Sequence, residues 1–173
     1  MKRIAITLLT TLLLSPSTTF SQTRNRSSRA KPSPAAEQTR VTQVRTAGAQ
    51  KVANQIKLLT QFIYVLGKTT SSMAAVDDAV RRNEASPAVV QQNQQSKVVV
   101  KSSIAGYREG LDKLEIEFRT TPELQPYYIK LAGVAAGAVS AEEQGAAGQF
   151  DRAGRTLLDV INRLADVLVV MRQ

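Results

Sequence analysis

Three pairs of neighbouring carboxylates are the side chains in this sequence that come nearest to a reactive constellation. Paired acids can divide general acid and general base work between them, or hold a divalent cation. Neighbouring positions on a helix point in different directions, so we expect each pair to lie apart on a solvated surface. The pairs are Asp77 with Asp78, Glu115 with Glu117, and Glu142 with Glu143.

The other groups that catalytic and metal sites commonly use are missing from this sequence of 173 residues. It has no histidine and no cysteine, which excludes disulfides, thiolate nucleophiles, imidazole ligands and a Ser-His-Asp triad. No stretch combines a nucleophile, a base and an oxyanion donor. We therefore predict a protein that is not an enzyme and that has no catalytic residue, no cofactor and no metal site.

Four basic side chains near the N-terminus form a cluster that suggests a binding role. The net charge of the chain is +9, and residues 22–34 contain these four basic residues and no acid. Such a segment is typical of a disordered linker, and it is a candidate for weak contact with an anionic surface such as lipid head groups. A solubilising linker without a partner is the alternative. Nucleic acid is not expected, because no aromatic stacking set lies nearby. The four residues are Arg24, Arg26, Arg29 and Lys31.

Residues 1–21 have the pattern of an export signal. Basic Lys2 and Arg3 precede an apolar run at residues 4–14, and small residues follow it. As a helix the run would reach about 17 Å, which is short of the roughly 30 Å hydrocarbon core of a bilayer. We predict cleavage between Ser21 and Gln22 and an exported protein, periplasmic or extracellular; an uncleaved membrane anchor is the alternative.

The rest of the chain has the apolar spacing of helices. A hydrophobic content of 43% argues against general disorder and for a packed core. Apolar residues recur three and four positions apart, which is the spacing of one helical face. This pattern predicts helices near residues 36–67, 87–119, 123–147 and 150–172.

The end of the first predicted helix has two interpretations. Gly67 is a plausible stop, which would leave a short extra helix near residues 72–84. Met73 stays in heptad phase with Leu59 and Leu66, however. One long helix that continues through residue 84 is therefore the alternative.

The stretch GQFDRAGR, residues 148–155, joins two helical patterns. Gly148 is predicted to be the left-handed residue that ends one helix, and Phe150 opens the apolar stripe of the next. Gly148, Phe150 and Ala153 resemble the inter-helix turn of tetratricopeptide repeats, but no period of about 34 residues recurs. A phosphate-binding loop would need more glycines after a strand. The stretch is thus interpreted as a short hairpin bend between antiparallel helices. Close packing near the bend is then expected between Ala141 and Gly145 on one side and Ala153 and Gly154 on the other.

Together these patterns predict an all-α fold, an antiparallel up-down bundle of about four helices. The organisation is a signal peptide at residues 1–21, a basic linker at 22–35 and the bundle at 36–173. The function that fits best is a cell-envelope interaction, scaffold or chaperone-like module that acts on a protein partner. The alternative is a binding module that holds a small apolar ligand between the helices, where alanine and glycine leave room.

Overall fold

A computed structural model describes residues 33–173, and this part of the chain is helical with no β-strand. The all-α prediction is confirmed. Ser33 caps the first helix by accepting a hydrogen bond from the backbone N–H of Ala36 at 3.3 Å, and Pro34 occupies the first helical position. The helices are α1 (Pro34–Arg81), α2 (Pro87–Thr120), α3 (Gln125–Leu131), α4 (Val134–Ala146) and α5 (Phe150–Met171).

Helix α1 is continuous from Pro34 to Arg81, so the predicted stop at Gly67 and the short extra helix near residues 72–84 are wrong. The alternative of one long helix is confirmed in that α1 continues to Arg81. A glycine inside a helix costs only about 1 kcal/mol relative to alanine. Burial of Leu66, Thr70 and Met73 on both sides of that position offsets this cost. The helix ends at Arg81, and Asn83, two residues later, has a φ of 58° and takes the left-handed position that follows many helices.

The single helix predicted over residues 123–147 is also wrong, because the chain forms two helices there. The break lies at Ala132 and Gly133, and Gly133 has a φ of 88°, which favours glycine. Leu131 and Val134, on either side of the break, are both fully buried. The backbone N–H of Ala135 donates to Glu115 Oε2 of α2 at 3.1 Å, which satisfies one free donor in the first turn of α4.

The four longer helices form a ring around one core. Helix α1 packs against α2 and α5, and α4 packs against α2 and α5, while the short α3 also contacts α2 and α5. Neighbouring helices run antiparallel, as predicted. Gly48 and Leu66 of α1, for example, approach Met171 and Gly154 at opposite ends of α5. The predicted stripe of α5 is buried along its whole length, at Phe150, Ala153, Leu157, Val160, Leu164, Val167 and Met171.

The bend at residues 147–149 confirms the interpretation of Gly148. This glycine has a φ of 77°. Its N–H donates to the carbonyl of Gly145 at 3.0 Å, and the N–H of Gln149 donates to the carbonyl of Gln144 at 2.8 Å. This pair of hydrogen bonds is the Schellman arrangement that ends helices.

The predicted packing of Gly145 against the start of α5, and of Gly154 against the end of α4, is wrong. A Cβ placed on Gly145 would lie 2.8 Å from Ile104 of α2, and one on Gly154 would lie 3.4 Å from Leu66 of α1. Among the glycines of α4, the one that approaches α5 closely is Gly137, where a Cβ would lie 2.8 Å from Val160. Because each ring helix has two neighbours, glycines of α4 and α5 also serve the contacts with α2 and α1.

Helix lengths differ enough to leave parts of α1 and α2 uncovered. At about 1.5 Å per residue, α1 reaches about 72 Å, whereas α5 reaches about 33 Å. The bend between α4 and α5 meets α1 near Thr70 to Asp77 and α2 near Lys97 to Lys101. Beyond that level α1 and α2 continue as a two-helix hairpin.

Candidate functional site

The residues predicted to contact an anionic surface lie outside the described part of the chain. Arg24, Arg26, Arg29 and Lys31 precede residue 33, where the structure begins. Their role stays a prediction.

The neighbouring carboxylates diverge as expected, because the two members of a pair bind groups in different places. Asp77 accepts a hydrogen bond from Lys97 at 2.7 Å, whereas Asp78 pairs with Arg81 on its own helix. Nowhere in residues 33–173 do three carboxylates converge to hold a metal ion. In the other two carboxylate pairs, Glu115 accepts from the Ala135 N–H, Glu117 forms an ion pair with Lys51, and Glu142 forms one with Arg108.

A polar cleft of about 390 Å³ lies where the α4–α5 bend meets α1 and α2. Met73 and Asp77 line it, and both accept hydrogen bonds from the buried Asn93 side chain, the Met73 carbonyl at 3.3 Å and Asp77 Oδ1 at 2.8 Å. Lys97 bonds to the same carboxylate, and Lys101 donates to the carbonyl of Ala146 at 2.8 Å. Since these groups hold one helix to another, the cleft is explained as a polar layer that fixes the helix register.

The outer seam between α1 and α2 carries a different kind of feature. Three clefts of about 280, 470 and 240 Å³ follow one another along it. Adjacent clefts share or neighbour the same lining residues, so we treat them together as the α1–α2 groove. One wall consists of α1 residues at spacings of three and four: Gln55, Leu58, Phe62, Val65, Thr69, Ser72 and Val76. The other wall consists of α2 residues at the same spacings: Val89, Gln92, Ser96, Val99, Ser103, Gly106 and Gly110.

The groove exists because the α2 wall is made largely of small side chains. Four of its positions have a serine or a glycine: Ser96, Ser103, Gly106 and Gly110. A Cβ placed on Gly106 would meet no atom within 4 Å. The opposite wall has larger side chains, and Phe62 packs against Tyr107 with ring centroids 4.9 Å apart. Because the side chains of the two walls do not fill the space beside Gly106, a channel stays open along the seam.

The walls of the groove are uncharged and expose apolar surface. No lysine, arginine, aspartate or glutamate lines any of its three clefts, although 21% of the chain is charged. Leu58, Val65 and Val99 have exposed fractions of 45%, 58% and 63%. Single exposed apolar residues are ordinary, but a continuous exposed apolar channel is typical of an interaction site.

The groove has a defined length. It runs along α1 from Gln55 to Val76, which corresponds to about 32 Å of helix. Past Gln55 the seam is bridged by an ion pair between Lys51 of α1 and Glu117 of α2, at 2.5 Å. At the other end it reaches Val89, close to the turn that joins the two helices.

Sequence reasoning did not identify the groove, although part of its signal is present in the sequence. The small residues of α2 recur at helical spacing beside its core stripe, and Leu58 and Val65 lie off the core stripe of α1. Such a pattern marks a second, weaker apolar face. Whether α5, α4 or solvent covers that face depends on the order of helices around the ring, which apolar spacing does not encode.

No protein-family model matches the chain, and neither does any curated protein or solved structure. Within residues 33–173, no helix combines the length and hydropathy that crossing a membrane requires.

Proposed function

We propose that this protein is a non-enzymatic interaction module of the cell envelope, and that its α1–α2 groove binds a helix of a protein partner. The observation that carries the proposal is the uncharged channel with exposed Leu58, Val65 and Val99. Helices recognise one another by laying an apolar face into such a channel. The export pattern of residues 1–21 supports a location in the envelope.

The channel has the shape that a third helix needs. Two antiparallel helices with a groove between them offer ridges at three- and four-residue spacing, and a partner helix can place its own side chains between those ridges. The available length of about 32 Å would take a helix of about 21 residues. Covering the groove would bury side chains that are otherwise half exposed to water.

Val99→Glu tests the proposal, with Ile129→Glu as the matched control. Val99 is 63% exposed in the groove, and Ile129 is 80% exposed on α3, away from it, so neither substitution should unfold the bundle. Tagged wild-type, V99E and I129E proteins are used for affinity capture from envelope extract, with cross-links mapped by mass spectrometry. We expect wild type and I129E to capture a protein cross-linked beside the groove through a helical segment, and V99E to lose it. Equal capture by all three proteins would contradict the proposal.

A small apolar ligand between the helices is the second candidate function. The middle cleft favours it, because its volume of about 470 Å³ lies within the range of small-molecule sites. Native mass spectrometry of the protein purified from its own source tests this candidate. A bound lipophilic molecule that is absent from Gly106→Leu, in which the added side chain fills the channel, would favour the ligand over the helix.

A further inference from the structure

The charges beside the groove are of one sign on its α1 side. Between Glu37 and Asp77, α1 contains five basic residues and no acid: Arg40, Arg45, Lys51, Lys57 and Lys68. Arg40 is held by Glu37 and Glu123, and Lys51 is held by Glu117. Lys57 and Lys68 form no ion pair with any residue of the described chain.

Lys57 and Lys68 lie on α1 just outside the wall of the groove. They are 11 residues apart, which is close to three helical turns, so they share a face of α1. Lys57 immediately precedes Leu58, and Lys68 immediately precedes Thr69, both of which line the channel. The Lys68 ammonium is 4.5 Å from the ring centroid of Tyr64, which lines none of the three clefts. Neighbouring helical positions point in different directions, so both lysines flank the channel instead of lining it, and a helix docked in the channel would meet them on its flank.

The α2 side of the groove does not neutralise this edge. From residue 85 to residue 108, α2 and the turn before it contain three basic residues and no acid. Two of these, Lys97 and Lys101, face the polar cleft and the end of α4. Glu109 is the acid nearest the groove along α2, and it lies beside Gly110 at one end. An occupant therefore meets an apolar channel with a positive border.

We infer that the partner helix carries acidic side chains along one flank of its apolar face, opposite Lys57 and Lys68. This inference rests on the proposed function of the groove. A second copy of the chain would bring its own lysine edge against this one, and like charges at an interface oppose binding. An anionic membrane would match the charge, but its flat surface does not enter a concave channel between two helices. An acidic, amphipathic helix matches both the shape and the charge.

Three synthetic peptides of about 21 residues test the inference. They share one leucine and alanine stripe at three- and four-residue spacing, and they differ only in the flanking residues, which are glutamate, glutamine or lysine. Fluorescence anisotropy with the purified protein at about 50 mM salt should give the tightest binding for the glutamate peptide, by about tenfold over glutamine. The lysine peptide should bind most weakly, and the differences should shrink at about 500 mM salt.

Charge exchange on the protein provides the matched experiment. The double variant Lys57→Glu with Lys68→Glu should lose the preference for the glutamate peptide and gain one for the lysine peptide. Lys130→Glu is the control, because Lys130 is exposed on α3 and lines none of the three clefts of the groove. It should leave the order of the three affinities unchanged.

The outcomes separate the inference from the function on which it rests. If all three peptides bind equally and Gly106→Leu abolishes their binding, the groove binds helices and the acidic inference is wrong. If no peptide binds, the inference is overturned together with the helix-binding function. If no peptide binds but vesicles of anionic lipid do, in a manner that depends on Lys57 and Lys68, the border contacts a membrane instead.

Discussion

At the scale of residues, glycine has two opposite effects in this fold. Gly148 occupies a left-handed conformation that other residues adopt only with strain. Gly67 and Gly106 lie within regular helix, where a Cβ would meet no neighbouring atom. At the first position glycine stabilises the bend, and at the other two it weakens the helix without improving any contact inside the molecule. An exposed, weakening glycine in the wall of a groove is consistent with a surface that is shaped for an occupant.

Gly148→Ala and Gly67→Ala should therefore change stability in opposite directions. A left-handed alanine costs about 1–2 kcal/mol, so Gly148→Ala should lower the free energy of unfolding by about that amount. Gly67→Ala should raise it by about 0.5–1 kcal/mol, because alanine is the better helix former and the site has room. Denaturant melts of the two variants beside wild type measure both effects. A loss of stability in Gly67→Ala would mean that the middle of α1 is not a regular exposed helix.

At the scale of elements, the sequence predicts buried faces better than it predicts breaks in the backbone. The buried residues Leu131, Val134 and Ala138 keep spacings of three and four across the break between α3 and α4. Apolar spacing records which side chains face the core, and the left-handed turn at Gly133 preserves that face while it changes the backbone. The same reason explains why α1 continues through Gly67. The apolar stripe on both sides of this glycine predicts the helix correctly, whereas the glycine alone predicts a stop.

The groove could be predicted only in part for a related reason. Its small α2 residues and its off-stripe apolar α1 residues are visible in the sequence. Their exposure follows from the ring order, in which α4 and α5 cover the inner faces of α1 and α2 and leave the outer seam open. That order is decided by tertiary packing of helices that all have similar apolar stripes.

Leu157→Ala, with Leu158→Ala as its control, tests whether the α5 stripe is the core of the bundle. Leu157 is fully buried, whereas its neighbour Leu158 is 46% exposed. The same truncation should cost about 2–5 kcal/mol at Leu157, because it removes buried methyl groups and leaves a cavity. At Leu158 it should stay near 0.5 kcal/mol, as surface changes do. Denaturant midpoints give both numbers, and similar midpoints for the two variants would show that α5 is not packed as described.

At the scale of the whole molecule, basic charge is concentrated in two parts of the sequence. Four of the basic residues stand in residues 22–32 without any acid between them, and α1 adds a basic edge beside the groove. Basic residues close to an anionic surface contribute about 1 kcal/mol each, and the contribution falls as salt screens it. The N-terminal segment and the groove are thus expected to act on different partners, one through charge alone and the other through apolar shape with a charged border.

Deleting residues 22–32 separates the N-terminal charge from the bundle. The deletion stops before Ser33, because that side chain caps α1 and Pro34 begins it. The melting temperature should therefore stay unchanged. Association with vesicles of anionic lipid at about 50 mM salt should weaken strongly in a flotation assay, and little difference should remain at about 500 mM salt. A full-length variant with Arg24, Arg26, Arg29 and Lys31 replaced by glutamine keeps the segment and removes its charge, so it should behave like the deletion. Equal vesicle binding by all three proteins would make the segment a linker, whereas a lower melting temperature in the deletion alone would mean that it packs on the bundle.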